Sequence, residues 1–267
     1  MAYPDRRDGG SVVHWREGAV AHLRFNRPQA LNALDVPMTA AFHAACVEIA
    51  ADPAVRVLVI AGEGRAFLAG GDVAAMAAAP LAAAQDLIRE VHGAITVLNR
   101  IRVPVIAQVH GAAAGAAIGV LMACDLVAAA EGSKFSLAFP AVGASADSSS
   151  TWGLPRMMGL RNALRFALLG EAVDAAQARE MGLISAVLPA PELAPTVGQC
   201  GRPGLRPRHR LRWPRSSACC AARSTTRWPT IWTPKPRPFS PARARTTSPR
   251  APPPSWASGR RSSKGDD

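Results

Sequence analysis

GRAFLAGGD, residues 64–72, and HGAAAGAAIGVLMACD, residues 110–125, are the two stretches on which the reading of this chain turns. Each follows a short β-branched run that reads as a buried strand: residues 55–60 (VRVLVI) before the first, residues 103–109 (VPVIAQV) before the second. Small residues directly after a strand let the backbone come close to a ligand, because no Cβ stands between them. In the second stretch the alanines also open a helix, whose first N–H groups have no intrahelical partner. Two such turns side by side can aim two N–H donors at one oxygen, an oxyanion hole. Either stretch alone is equally what tight helix–strand packing produces. The pair is far more specific.

Around that pair the composition splits in two. Residues 1–200 hold 15 Lys+Arg against 17 Asp+Glu, whereas residues 201–267 hold 16 against 2. Twelve of the 23 prolines also fall in the last 67 residues. The basic total therefore comes from the tail and says nothing about the substrate of the body; no specific nucleic-acid partner is expected. At 267 residues the chain is long enough for a substantial core. Its five cysteines (Cys46, Cys124, Cys200, Cys219, Cys220) show no paired spacing and no metal pattern, and Cys46 and Cys124 read as reduced core residues. The opening MAYPDRRDGG is too polar for a signal peptide. Residues 104–130 are the longest apolar stretch, but Gln108, His110, Gly111, Gly115, Gly119 and Asp125 interrupt it. It reads as strand–turn–helix–strand rather than a membrane span, and the cytoplasm is the expected compartment.

The remaining elements follow from periodicity. Residues 12–14 and 19–25 flank Glu17-Gly18 as a hairpin. Residues 37–51 read as a helix, with Pro37 acceptable in its first turn and Pro53 ending it. Residues 81–101 read as a long helix with Leu87, Ile88, Val91, Ile95 and Leu98 on one face. Further helices are expected at 116–124, 162–169 and 174–181, with strands at 126–129 and 184–188. Strands alternating with helices argue an α/β fold with parallel sheets.

The two glycine/alanine stretches, in this order and spacing, resemble the crotonase (enoyl-CoA hydratase/isomerase) superfamily. NRPQALNALD, residues 26–35, is similar to that family's N-terminal segment, which wraps coenzyme A. KFSLAFPAVGASADSSSTWGLPRMMG, residues 134–159, is similar to the far wall of its acyl pocket. The resemblance runs over residues 12–188, roughly 180 residues, and implies a β-β-α superhelix. It also implies an acyl-CoA thioester as substrate, with coenzyme A present as part of that substrate, no separate cofactor and no metal.

Motif by motif, the resemblance places the enolate-stabilising N–H donors at Gly71 and Ala116. It places Arg27, Ala30, Leu31, Ala69, Gly70, Asp72, Val73 and Gly115 along the substrate, with Arg27 and Arg65 read equally as contacts for the coenzyme A phosphates or as free, solvated cations. Hydratases of the family use two glutamates; those positions here hold Gly119 and Phe139. What remains is Asp147 in GASADSSSTW, in a region resembling the epoxyphenylacetyl-CoA isomerase branch, where an aspartate shuttles a proton. A desolvated carboxylate suits a 1,3-proton shift, whereas Asp147 beside Ser148, Ser149 and Ser150 also suits a plain turn. Asp72 reads as a helix cap, and Asp125 and His110 as structural. The expected activity is a double-bond isomerase, with enoyl-CoA hydratase or an inactive acyl-CoA-binding relative as alternatives.

Residues 1–195 read as the core and 196–267 as a basic, Pro/Arg-rich tail. The resemblance implies C-terminal helices there that complete the pocket and build a homotrimer or dimer of trimers. Other reading frames supply such helices. Shifting residues 216–231 by two nucleotides permits LGLLRRSFDNALADHL, and the same shift of residues 247–264 permits DFAEGAAAFLGKRPPEF. A one-nucleotide shift of residues 201–212 permits AGLASGPATAF. The expectation is a frame displacement rather than a genuine basic tail.

Overall fold

The computed structural model describes residues 10–77 and 80–199; the expectations for the tail lie outside them. Strands β1 (Val12–Glu17) and β2 (Val20–Phe25) form the anticipated hairpin, with Gly18 at φ +60° in its turn. Then follow α1 (Val36–Ala51), β3 (Val57–Gly62), α2 (Val73–Ala77), α3 (Pro80–Arg100), β4 (Val105–Val109), β5 (Ala112–Ala114) and α4 (Ala116–Met122). The described chain closes with β6 (Leu126–Ala130), β7 (Lys134–Ser136), α5 (Ser150–Leu169), β8 (Val173–Asp174), α6 (Ala175–Glu180), β9 (Ala186–Leu188) and α7 (Ala190–Gln199). The main sheet has the order β1-β2-β3-β4-β6-β9, parallel from β2 onward. A small second sheet, β5-β7-β8, stands beside it.

Strand β3 is buried along its whole length, so its alternate side chains feed two cores. Leu58 and Ile60 face the larger one, which collects Phe25, Phe42, Phe67, Val91, Ile95 and Leu98 from β2, α1, α3 and the loop after β3. Phe25 meets Phe42 and Phe67 edge-on, at centroid distances of 5.1 and 5.8 Å. Val57 and Val59 face the smaller core, capped by Leu193 and Val197 one turn apart on α7. Burying each of these two side chains contributes roughly 1.5–3 kcal/mol. Helix α1 starts where Asp35 accepts the Met38 N–H at 2.9 Å, with proline in its first turn as expected.

Several elements differ from the sequence reading. β1 extends to Glu17 and β3 begins at Val57, because each strand runs as far as its neighbour pairs with it. β5, an alanine triplet of weak strand propensity, is a strand because it pairs with β7. α5 begins twelve residues before the expected helix at 162 because it is two helices joined at a kink, where Gly159 leaves helical geometry (φ 75°, ψ 157°). α7 runs past residue 195 to Gln199. Cys46 and Cys124 are buried free thiols, and burial pushes the Cys46 thiol far above its ordinary range. Among the described residues no helix is long and apolar enough to cross a membrane.

Candidate active site

The two glycine/alanine stretches lie side by side. Leu68 and Ala113 form a parallel bridge in which the Leu68 N–H donates to the Ala112 carbonyl (3.1 Å) and the Ala114 N–H to the Leu68 carbonyl (3.0 Å). The approach tightens at the glycines that follow. A Cβ on Gly70 would stand 2.9 Å from the Ala114 carbonyl oxygen, and one on Gly115 would stand 3.6 Å from the Gly70 Cα. Both glycines have positive φ, +92° and +56°, which favours glycine at each; at Gly70 the space also excludes a side chain.

The next residues are Gly71 and Ala116. The Gly70 carbonyl accepts the Leu34 N–H at 2.7 Å; across a trans peptide the Gly71 N–H must then point the opposite way. Ala116 is the first residue of α4, so its N–H points out of the helix. Neither N–H has a hydrogen bond among the described residues. The expected donors thus sit on neighbouring, tightly packed turns with both N–H groups open.

Gly119, one turn further along α4, meets the loop that carries Asp147. A Cβ on Gly119 would lie 2.0 Å from the Ser148 carbonyl oxygen, so helix and loop touch backbone to backbone. The loop is strained: Ser148 and Ser149 both adopt left-handed φ, 51° and 65°. The turn is closed by the Asp147 main chain, whose carbonyl accepts the Ser150 N–H (2.9 Å) and the Ser150 hydroxyl. The carboxylate is left out of that turn and accepts only the Ser148 hydroxyl, at 2.8 Å, among the described residues. Burial raises its pKa above the ordinary carboxylate range, opposed by the Ser148 hydroxyl and by His92 of α3. Burial lowers the pKa of His92 in turn, opposed by the charge of Asp147.

The N-terminal segment completes the near wall. Pro28–Ala30 form a 3-10 turn, Leu31 and Asn32 have φ 53° and 60°, and the Leu31 carbonyl accepts the Ala69 N–H at 3.1 Å. Asp72 accepts the Ala75 N–H at 3.0 Å and so caps α2, as its sequence position suggests. Val73 follows it, 56% exposed. Arg27 has another employment than a phosphate ligand's: it donates to Asp72 (2.7 Å) and to the Ala33 carbonyl (2.8 Å), and its Nε lies 3.4 Å from Asp35. Arg65 is exposed. His110 donates from Nε2 to the Gly64 carbonyl (2.8 Å), and Asp125 accepts the Val105 N–H (2.8 Å), both structural as expected. Among the described residues no group of His, Cys, Asp and Glu could hold a metal ion.

Sequence reasoning passed over two residues. Asn32 is fully buried; its amide donates to the carbonyls of Glu63, Ala66 and Phe67 at 2.9, 2.8 and 3.2 Å, and its oxygen accepts the Arg27 N–H at 2.8 Å. A polar residue between apolar neighbours in QALNALD was the available signal. His92 gave no such signal, because Asp147, whose charge acts on it, is 55 positions away in the sequence.

The enoyl-CoA hydratase/isomerase family model matches residues 16–203. The chain belongs to the enoyl-CoA hydratase/isomerase family of enzymes. It is 36% identical over 190 residues to 1,2-epoxyphenylacetyl-CoA isomerase of Escherichia coli, covering 70% of this chain and 72% of the relative. It is 31% identical over 196 residues to 4-chlorobenzoyl coenzyme A dehalogenase-2 of an Arthrobacter species, covering 72% and 70%. The solved enoyl-CoA hydratase from Mycobacterium smegmatis superposes with a TM-score of 0.68 at 31% identity, covering 72% of this chain and 75% of that one. The chain spans 65–72% of the length of the curated relatives it matches first. The family match stops at residue 203, where the composition of the chain also changes.

Proposed function

We propose that the protein isomerises a double bond in an acyl-CoA thioester. The open N–H groups of Gly71 and Ala116 hold the thioester oxygen, so that removing a proton next to the carbonyl leaves charge where two donors already point. The Asp147 carboxylate takes that proton and returns it two carbons further along the chain; product and substrate have the same atoms. Gly70, Gly115, Ala69, Ala30, Leu31 and Val73 border the thioester and its coenzyme A, and no separate cofactor or metal takes part.

The observation that carries this reading is the contact between Gly119 and Ser148. It fills with backbone the position where a hydratase of the family keeps a glutamate, and the loop that makes this contact carries one desolvated carboxylate, Asp147. Water addition needs a base for the water and an acid for the carbon, and a single carboxylate serves proton relocation better. The test offers the protein crotonyl-CoA and a 3-enoyl-CoA. A shifted double bond supports the reading, hydration of crotonyl-CoA supports a hydratase, and binding without turnover supports an inactive relative.

A second reading draws on His92. Asp147 and His92, each of which feels the other's charge, would supply a nucleophile and a base for water. Hydrolytic replacement of a ring substituent on an aromatic acyl-CoA needs both, and two relatives are named 4-chlorobenzoyl coenzyme A dehalogenases. Chloride release from 4-chlorobenzoyl-CoA is its test.

A further inference from the structure

Residues 27–35 and 63–72 are zipped together beside the candidate donor Gly71. The backbone supplies three rungs: Ala69 N–H to Leu31, Leu34 N–H to Gly70 and Asp72 N–H to Leu34, at 3.1, 2.7 and 2.9 Å. The buried Asn32 amide ties the same two segments from the other end. Arg27 closes the assembly. Its guanidinium reaches two carboxylates at once, and each is itself a helix cap: Asp35 holds the Met38 N–H of α1, and Asp72 holds the Ala75 N–H of α2. Asp72 is the residue directly after Gly71. The hydrogen bonds from Ala75 and Arg27 hold its carboxyl below the usual range, so the pair stays charged well into acid.

From this geometry we infer that Arg27 is a positioning residue for the Gly71 N–H, acting through Asp72, and not a ligand for the phosphates of coenzyme A. The inference rests on the acyl-CoA reading of the site. One cation between two carboxylates leaves the cluster net negative, which repels a phosphate rather than binding it. The planar fork of arginine suits two carboxylates in fixed directions, where lysine offers only a point charge. Without Arg27 the two caps repel each other, and the peptide before Asp72 loses the tie that fixes where its N–H points. A displacement of about 1 Å at such a donor costs on the order of 10²-fold in rate.

The test uses the full chain and cinnamoyl-CoA, whose conjugated thioester absorbs further to the red when N–H donors polarise its carbonyl. The unaltered protein should bind it with a red shift. Arg27→Gln should lose most of that shift while keeping affinity within about threefold, and its preference for coenzyme A over 3′-dephospho-coenzyme A should not change. Arg27→Lys should restore part of the shift. Asp72→Asn, whose side-chain oxygen still caps α2, should lose shift as Arg27→Gln does, and the double variant should be no worse than Arg27→Gln. This arm carries the test if Arg27→Gln does not fold. A full red shift in Arg27→Gln or Asp72→Asn overturns the inference. So does an affinity loss in Arg27→Gln that vanishes with the dephospho compound. No binding by the unaltered protein would instead remove the acyl-CoA reading, and this inference with it.

Discussion

The two walls of the candidate site are built on opposite principles. The near wall, from Arg27 to Asp35 and from Glu63 to Asp72, is held by a backbone ladder, a buried amide and an ion cluster within its own segments. The far wall carries Asp147 on a loop with two consecutive left-handed serines, and passes into α5, whose outer face is bare. Leu160, Leu164 and Leu168 fall at helical spacing there, after the kink at Gly159, and are 61, 47 and 73% exposed; Met157 before it is 49% exposed. A stripe of that kind on a surface helix is ordinarily covered. The near wall is complete within the described residues; the far wall lacks a cover among them. That difference coincides with the end of the family match at residue 203, beyond which the chain is rich in Arg and Pro.

The largest effect should come from supplying the cover. A chain rebuilt with the shifted-frame helices should elute as a discrete oligomer and melt cooperatively, while the chain as written should aggregate through α5 and be cut early by protease beyond Gln199. A monodisperse, protease-resistant oligomer from the chain as written would place the fault in the frame argument. Next comes the near wall: Ala116→Pro removes a donor N–H that Ala116→Ser retains. It should lower kcat/KM by roughly 10²–10³-fold more than serine does, the worth of one oxyanion donor. Equal losses would mean that this N–H is unused.

Where the walls touch, Gly119→Ala drives a Cβ into the Ser148 carbonyl. It should destabilise by about 3 kcal/mol, read as a lowered urea midpoint at unchanged slope. The smallest change is Ser149→Gly. It relieves a left-handed serine but frees the unfolded chain, so stability should rise by no more than about 1 kcal/mol. A loss of stability there would show that the loop is not strained.

The parts of the molecule that follow a single rule were legible in its sequence. The hairpin at Glu17-Gly18, the cap at Asp35, the amphipathic α3 and the paired small-residue turns each state their structure within a dozen residues. What was missed depends on distant partners. The alanines of β5 became a strand only because Lys134–Ser136 lies beside them, and the first half of α5 was hidden behind Pro155 and Gly159. Arg27 read as a free cation because Asp72 lies 45 positions further on. Asp147 was ambiguous for a related reason: whether an aspartate among serines closes a turn with its side chain or its main chain depends on where the loop packs.

The most direct test of the account is Asp147→Asn, followed by turnover and melting temperature against pH. Burial raises the Asp147 pKa, so the folded protein holds that proton more tightly than the unfolded chain does. Stability is therefore lost as pH rises from the ordinary carboxylate value through the raised one, and asparagine escapes the loss. The account predicts that Asp147→Asn abolishes turnover, leaves thioester binding near that of the unaltered protein, and melts higher than it at neutral pH, with the gap closing toward acid. Turnover within a few fold of the unaltered protein would contradict it.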